Sequence, residues 1–293
     1  MANINVHIAG KDASYKVVID TNFSALSVAT KNASSIFIVT DDVVAPLWLD
    51  AVKEYVEVAH VIILPTGEKS KTLTQVERVW QELQEHGADR HSILINLGGG
   101  VICDLGGFAA STYKRGIAFI HIPTTLLSQA DAAIGGKTGV DFNGLKNQIG
   151  TITQPKAVVI NVASLSTLDD RLYQEGFGEL IKHGCIADHS LFESFEDTPF
   201  VRKTDQPGLI NLLEISSRIK VGVVSGDVRE SGNRKILNFG HTIGHALEAA
   251  SLRTDQPLLH GEAVSLGMVS ELILIDEYKL QSRLKKVLVS AKL

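Results

Sequence analysis

Five short apolar runs in the first half of the chain constrain its fold more than any other feature. They are Ser35–Thr40 (SIFIVT), His60–Leu64 (HVIIL), Ser92–Leu97 (SILINL), Ile117–Ile122 (IAFIHI) and Ala157–Val162 (AVVINV). None alternates apolar with polar, so each suits a strand covered on both faces, as in a parallel sheet flanked by helices. Between the second and third runs, Val76, Val79, Trp80 and Leu83 recur at helical spacing. Thr72 with Gln75 forms the pattern of a capping box, and Gly87 is placed to end that helix. Strands alternating with helices predict a doubly wound, Rossmann-like α/β domain over residues 1–164.

The pattern changes after Ser164. From Leu168 it is helical, interrupted only by polar stretches near Asp197–Pro207 and Arg253–Pro257. An all-α domain over residues 165–293 is expected. Internal repeats and low-complexity segments are absent. The balance of 28 basic against 33 acidic residues leaves a net charge of −5 without any basic stripe, which argues against a nucleic-acid partner. No apolar stretch approaches membrane-spanning length, and the N-terminus lacks the charged start and apolar core of a signal peptide. A cytoplasmic protein is expected. Its two cysteines, Cys103 and Cys185, lie in apolar or glycine-rich contexts without CxxC spacing, and read as small buried thiols.

Three places carry chemistry. SILINLGGGVICDLGGF reads as strand, glycine turn and helix, where Gly98, Gly99 and Gly100 permit close backbone approach and the helix N-terminus offers N–H groups to a phosphate. It is not GxGxxG, and three glycines after a strand often make only a tight turn. Asp41, at the end of an earlier strand, is suited to a ribose hydroxyl or to a helix cap. Residues 121–150 then place Thr124 and Thr125 after a strand end, with Asp131, Lys137, Lys146 and Asn147 among glycines and small apolar residues. That composition fits a phosphorylated ligand and a solvated surface loop equally well. Finally, NFGHTIGHALEA, starting at Asn238, puts His241 and His245 at i, i+4 on one helix face. LLHGEAV adds His260 and Glu262, and GFGELIKHG adds Glu179, Lys182 and His183. A glutamate and two histidines from three helices would make a catalytic Zn²⁺-type site with an open position. HExxH is absent, which argues against a zinc-protease arrangement. Spacing alone does not choose which histidine ligates and which transfers protons.

Taken in order, LPTGEKSK (64–71), LGGGVICDLGGF (97–108), YKRG (113–116), IPTTLLSQADAAIGGKTGV (122–140), GLKNQIG (144–150), GELIKHG (178–184), RESGNRKILNFGHTIGHALEA (229–249) and LHGEAVSLGM (259–268) resemble the 3-dehydroquinate synthase family of sugar-phosphate cyclases. The resemblance implies an NAD-binding α/β domain, a helical metal-binding domain and an active site in the cleft between them. It implies conversion of 3-deoxy-D-arabino-heptulosonate 7-phosphate to 3-dehydroquinate and phosphate, with catalytic NAD and one divalent metal, Zn or Co. Position by position, it implies Glu179, His241 and His260 as metal ligands. It implies substrate contacts from Lys137, Lys146, Asn147 and His245, with Lys137, Asn147 and His245 near the phosphate. Lys220, Arg234 and Asn238 fall toward the carboxylate and hydroxyls. Lys182 falls beside the metal-bound oxygens, and Asp131 between the nicotinamide and the reacting hydroxyl. Asp41, Glu68, Lys71, Gly99, Gly100, Asp104, Thr124, Thr125 and Thr167 match NAD-contacting positions, joined by Lys137 and Lys146. Arg115 matches an arginine reaching the neighbouring subunit's site, which implies a homodimer.

There are departures. Family members usually run several dozen residues further, through a segment whose lysine meets the substrate carboxylate, whereas the tail LQSRLKKVLVSAKL is unlike the family's ending. A shortened chain of this kind would have its substrate site half open. TITQP (151–155) lacks the usual aromatic before Gln-Pro, and EGFGE (175–179) is a milder variant. The rival readings are a cyclase acting on sedoheptulose 7-phosphate or glucose 6-phosphate, a glycerol dehydrogenase-like oxidoreductase, and a catalytically impaired NAD- and metal-binding form. Lys220, Arg234 and Asn238 favour a carboxylated substrate over the first rival. The lysines of 137–147 would have no purpose in the second, and the complete ligand set speaks against the third.

Overall fold

The computed structural model describes residues 1–7, 14–198 and 200–293. The chain divides into two compact units, Met1–Thr167 and Leu168–Leu293. The boundary expected after residue 164 falls inside a 3-10 stretch, Val162–Thr167.

In the first unit the elements run β1 (Ala2–His7), β2 (Ser14–Asp20), α1 (Ala25–Ala29), β3 (Ile36–Asp41), α2 (Ala45–Lys53), β4 (His60–Leu64), α3 (Leu73–Glu85), β5 (Ile93–Gly98), α4 (Gly100–Thr112), β6 (Ala118–Pro123), β7 (Lys137–Phe142), β8 (Leu145–Ile152) and β9 (Ala157–Asn161). The main sheet has the order β1-β2-β9-β6-β5-β3-β4. All its pairings are parallel except β1 with β2. The five apolar runs are β3, β4, β5, β6 and β9, within a residue of their expected bounds. Strands β3, β5 and β9 are buried at every position, as a sheet covered on both faces requires. One core cluster includes Phe37, Val76, Leu94, Leu105 and Phe119, and a second includes Phe23, Ile38, Ile95 and Ile120. Phe37 and Ile38, consecutive on β3, fall in different clusters because successive side chains leave opposite faces.

Two details differ from expectation. Thr72 accepts from Gln75 N at 3.4 Å, the first half of the capping box, and among the described hydrogen bonds no return bond from the Gln75 side chain accompanies it. Residues 121–150 are also more ordered than a polar loop. After β6 comes a π-helical turn, Ser128–Ala132, and then an antiparallel hairpin of β7 and β8. Gln129 fastens the turn by donating from Nε2 to Pro123 O, Asn161 O and Ser164 Oγ.

The second unit contains α5 (Asp170–Ala187), α6 (His189–Asp197), α7 (Gln206–Gly226), α8 (His241–Ser251), α9 (His260–Leu274) and α10 (Tyr278–Ala291). Aspartates accept backbone N–H bonds at three N-termini: Asp169 for α5, Asp188 for α6 and Asp205 for α7. No helix among the described residues is long and apolar enough to cross a membrane. Cys103 is buried as expected, but Cys185 is only half-buried; both are free, and burial pushes the Cys185 thiol up to about 12.

One buried polar pair stands out in the first unit. Asn96 on β5 and His121 on β6 meet at 3.1 Å (Nδ2 to Nδ1), beneath glycines of α4. A Cβ on Gly106 would come 2.1 Å from Asn96 Oδ1, so only glycine lets α4 lie this close. Burial pulls His121 down to about 3, so its imidazole stays neutral. Its unfolded counterpart still binds a proton near 6.5. Stability contributed by a neutral His121 is therefore intact above about pH 6.5 and is lost as pH falls toward 3. His121→Asn should flatten the acid limb of a stability–pH profile measured by urea unfolding. An unchanged slope would refute this assignment.

Candidate functional site

In the first unit, the residues proposed for a nucleotide gather at the carboxyl ends of neighbouring strands. From β3 the chain moves outward to β4, then returns to the other side of β3 for β5, β6 and β9. The order therefore reverses between β3 and β5, and ligands of open α/β sheets bind outside such a switch point. Asp41 ends β3, Gly98 ends β5, and Thr124 follows β6. Gly99 is the N-cap of α4 with no side-chain cap, so N–H groups of the first turn face that end of the sheet. A Cβ on Gly99 would meet Thr125 Cγ2 at 3.1 Å, which keeps the turn bare of side chains.

Asp41 Oδ1 accepts from Val43 N and Val44 N at 3.0 and 2.8 Å, so its role as a turn cap is real. Burial pushes its carboxyl up, against those two bonds. Thr167 Oγ1 accepts from Trp48 Nε1 at 2.9 Å. Asp131 sits within the π-helical turn, a distortion frequent at functional sites.

Lys71 ties several of these segments together. Its Nζ donates to Asp104 Oδ2 at 2.6 Å and to Asn147 Oδ1 at 2.5 Å, and its carbonyl accepts from Asp141 N at 2.9 Å. Burial works against the ammonium, yet Asp104 and Glu68 outweigh it and hold Lys71 above the usual lysine range. Glu68 Oε1 lies 3.6 Å from Lys146 Nζ. Lys137 and Lys146 are exposed on the hairpin, as is Asn147, whose φ of +54° is left-handed. Arg115 is exposed beside Lys114, and both have positive φ, +67° and +48°. Non-glycine residues adopt that conformation at some strain, which recurs at functional loops.

In the second unit, Glu179 on α5, His241 at the start of α8 and His260 at the start of α9 converge. Glu179 Oε1 lies 3.5 Å from His241 Nε2 and 3.8 Å from His260 Nε2. Ligands about 2.0–2.2 Å from one tetrahedral ion stand roughly 3.3–3.6 Å apart, so the two distances from this oxygen lie at or close to that spacing. The donor set fits a divalent metal. His245 is also near: its ring centroid is 5.2 Å from that of His241 and 5.6 Å from that of His260, and the three histidines can bring ligand atoms within 4.8 Å of one another. Lys182 forms an ion pair with Glu179 and is fully buried. Lys220 and Arg234 are buried as well; Arg234 donates from Nη1 to Val228 O at 2.7 Å. Asn238 is exposed and donates to Glu230 Oε1 at 2.5 Å.

Glycines set this geometry. A Cβ on Gly178 would fall 2.6 Å from Gly261 O, and one on Gly261 would fall 1.9 Å from Glu175 O. The two helices touch backbone to backbone at the residues beside Glu179 and His260.

Sequence reasoning passed over three members of this neighbourhood. Glu248 Oε2 lies 3.3 Å from His260 Nδ1. Glu175 Oε2 accepts from Gly261 N at 3.2 Å, and burial pushes its carboxyl up to about 7. Ser216 Oγ meets His183 Nδ1 at 2.7 Å, deep in the core. The one signal for Glu248 in the sequence is its place seven residues after His241 and three after His245, which puts it on their helix face without naming its partner. Glu262, by contrast, works as a helix-start residue, accepting from Leu259 N at 2.8 Å and gripping Arg171 at 2.7 and 2.8 Å.

Two other features stand apart from the three converging ligands. His60 and His86 flank Glu82 in the first unit, but their rings stack with centroids 3.5 Å apart and planes 13° apart. A ligating lone pair lies in its ring plane, and parallel planes so spaced cannot both aim at one ion. A cavity of about 860 Å³ in the second unit is lined by Arg229, Lys235, Asn238 and Glu271 among others, but not by Glu179, His241 or His260.

Comparison with known proteins agrees with the resemblance in the motifs. Residues 61–175 match the 3-dehydroquinate synthase N-terminal family model, and residues 176–291 match the C-terminal one. The 3-dehydroquinate synthase of Clostridium tetani is 40% identical over 273 residues, covering 90% of this chain and 72% of that protein. Among solved structures, a 2-epi-5-epi-valiolone synthase from Streptomyces hygroscopicus with NAD⁺ and Zn²⁺ bound superposes with TM-score 0.87 at 29% identity, covering 97% of this chain and 82% of that one. A 2-deoxy-scyllo-inosose synthase complexed with carbaglucose-6-phosphate, NAD⁺ and Co²⁺ gives 0.86 at 26% identity, covering 98% and 82%.

If Lys71 anchors the hairpin, Lys71→Met should speed amide hydrogen exchange over residues 141–147 while strand β5 keeps its protection. Equal loss in both, or no change in either, would refute the anchoring role.

Proposed function

Because this chain belongs to the 3-dehydroquinate synthase family, we propose that it converts 3-deoxy-D-arabino-heptulosonate 7-phosphate to 3-dehydroquinate and phosphate, with NAD and one divalent metal, as a phosphorus–oxygen lyase of the shikimate pathway. The observation that carries this reading is the convergence of Glu179, His241 and His260 from three helices in a unit that also buries Lys182, Lys220 and Arg234.

Bound NAD would supply a hydride acceptor for the substrate carbon that bears the oxidised hydroxyl and would return the hydride later, and the metal would draw electron density from substrate oxygens. The remaining work falls to the chain's own side chains. Glu179, His241 and His260 hold the metal, while Lys182 keeps the Glu179 carboxylate paired. Arg234 and Lys220, with Asn238, receive the substrate carboxylate and hydroxyls; an arginine fork matches a carboxylate's two oxygens. Lys137 offers the phosphate a positive charge and Asn147 and His245 offer it hydrogen bonds, which eases its departure as an anion, while Lys146 contacts the substrate beside them. Asp131 stands beside the hydroxyl that is oxidised and handles its proton. Asp41, Glu68, Lys71, Gly99, Gly100, Asp104, Thr124, Thr125 and Thr167 hold the nucleotide, supported by their grouping around the sheet's switch point. Lys137 and Lys146 reach toward it too.

The substrate choice rests on similarity. The curated relatives named 3-dehydroquinate synthase reach 40–46% identity, against 29% and 26% for the two cyclases of known structure. The match of Arg115 to the family's subunit-crossing arginine, with its exposure here, is the support for a homodimer in which this residue enters the neighbour's site. Two free thiols suit a reducing cytoplasm.

Phosphate release from 3-deoxy-D-arabino-heptulosonate 7-phosphate, with NAD⁺ and Co²⁺ or Zn²⁺ supplied, tests the reading. Chelator-sensitive release with dehydroquinate formed is expected; release from sedoheptulose 7-phosphate instead would overturn the substrate. His241→Ala should lose metal content and turnover together, and an active metal-free variant would refute the ligand set. Arg234→Ala should raise KM for the carboxylated substrate by about 10- to 100-fold, from the loss of a charged hydrogen bond worth roughly 1.5–3 kcal/mol, and leave NAD affinity alone.

A further inference from the structure

The helix pair that carries three of the histidines is held unusually close. A Cβ on Gly244 would fall 2.9 Å from Ala263 O, and one on Gly267 would fall 1.9 Å from Gly240 O. Helices α8 and α9 therefore touch backbone to backbone near their N-termini. On α8, His241, His245 and Glu248 follow one another at i, i+4 and i+7, so one helix face carries two imidazoles and then a carboxylate. With the helices this close, the third of these residues reaches the first residue of α9: Glu248 Oε2 stands 3.3 Å from His260 Nδ1.

The imidazole of His260 thus lies between two carboxylates. Nδ1 faces Glu248, and Nε2 faces Glu179 Oε1 at 3.8 Å. Glu248 is 6% exposed and Glu179 is 1% exposed, so neither is a solvated surface acid that met a histidine by chance. A histidine bonded through Nδ1–H to a carboxylate must carry its lone pair on Nε2, which settles the tautomer and ring orientation and makes that nitrogen a stronger donor.

We propose that Glu248 is a positioning residue for the metal site: by accepting a hydrogen bond from His260 Nδ1 it aims Nε2 at the point where Glu179 and His241 converge. The role rests on the reading of Glu179, His241 and His260 as metal ligands. Glu248 itself does not ligate; its carboxylate acts only through His260. Its contribution is preorganisation, because a ring free to turn would have to be ordered when the ion binds.

The test uses the full chain and four proteins: wild type, Glu248→Ala, Glu248→Gln and His241→Ala. Dissociation constants for Zn²⁺ and Co²⁺ are measured by competition with a chelator, alongside the visible absorption of the Co²⁺ form and thermal unfolding of metal-free protein. Glu248→Ala is expected to bind about 10- to 100-fold more weakly, with a shifted Co²⁺ band. Glu248→Gln keeps the shape but accepts without the charge, and should fall between Glu248→Ala and wild type. A merely structural glutamate would lower the metal-free melting temperature and leave affinity and spectrum alone. Wild-type affinity and spectrum in Glu248→Ala overturn the proposal, as does the same result in Glu248→Gln should the alanine variant not fold. His241→Ala separates the two levels: if it binds metal as well as wild type, the ligand assignment itself has failed. If it loses the metal while Glu248→Ala does not, only the role of Glu248 has.

Discussion

Backbone contact without side chains between α9 and its neighbours is the constraint on which the second unit depends. Gly178 against Gly261, and Gly240 and Gly244 against α9, remove the layer of side chains that ordinarily keeps helices 8–10 Å apart. Side chains as short as histidine and glutamate can then meet across the seams. Glu179 and His260 each sit one residue from a seam glycine, so the tight packing and the convergence of polar groups share one cause. The arrangement buries carboxylates that would otherwise destabilise the fold, and the cations and imidazoles around them offset that penalty.

The first unit solves a different problem. Its parallel strands must be buried on both faces, and the sheet edge left accessible at their carboxyl ends is where Asp41, the glycine turn and the paired threonines gather. The residues proposed for nucleotide contact thus lie where the core stops, at strand ends and helix starts, and not where packing is densest. Lys71 joins the glycine-rich helix to the hairpin through Asp104 and Asn147, so one side chain ties together segments far apart in sequence.

How much of this was legible varied with the kind of signal. Continuous apolar runs located β3, β4, β5, β6 and β9 within a residue; for β3, β5 and β9 burial on both faces leaves no other composition, whereas β4 lies at the sheet edge with Ile63 exposed and is not covered on both faces as its run suggested. Strands β1 and β2 gave less: Ala2–His7 alternates apolar with polar, and it lies on the sheet's edge. The hairpin β7–β8 was missed because β8 is largely exposed and carries charged and amide side chains where a strand signal would need apolar ones. Asp41 was readable both as ribose ligand and as turn cap, and its bonds to Val43 and Val44 show the second at work. Among the site residues, histidine spacing suggested His241 and His245, but no local pattern tells that Glu248 turns toward His260. That depends on the glycine seam between two helices, a long-range contact whose partners lie in separate segments.

The π-helical turn at Ser128–Ala132 has a consequence for how this chain can vary. Such a turn holds one residue more than the α-helical turn it replaces. Each residue of an α-helix advances the side-chain direction by roughly 100°, so losing a single residue from this short segment would relax the backbone and swing Asp131 about a quarter of a circle off its bearing. A change in its length could not be absorbed without turning Asp131 away, and the buried Gln129 that fastens the turn leaves little freedom at that position either.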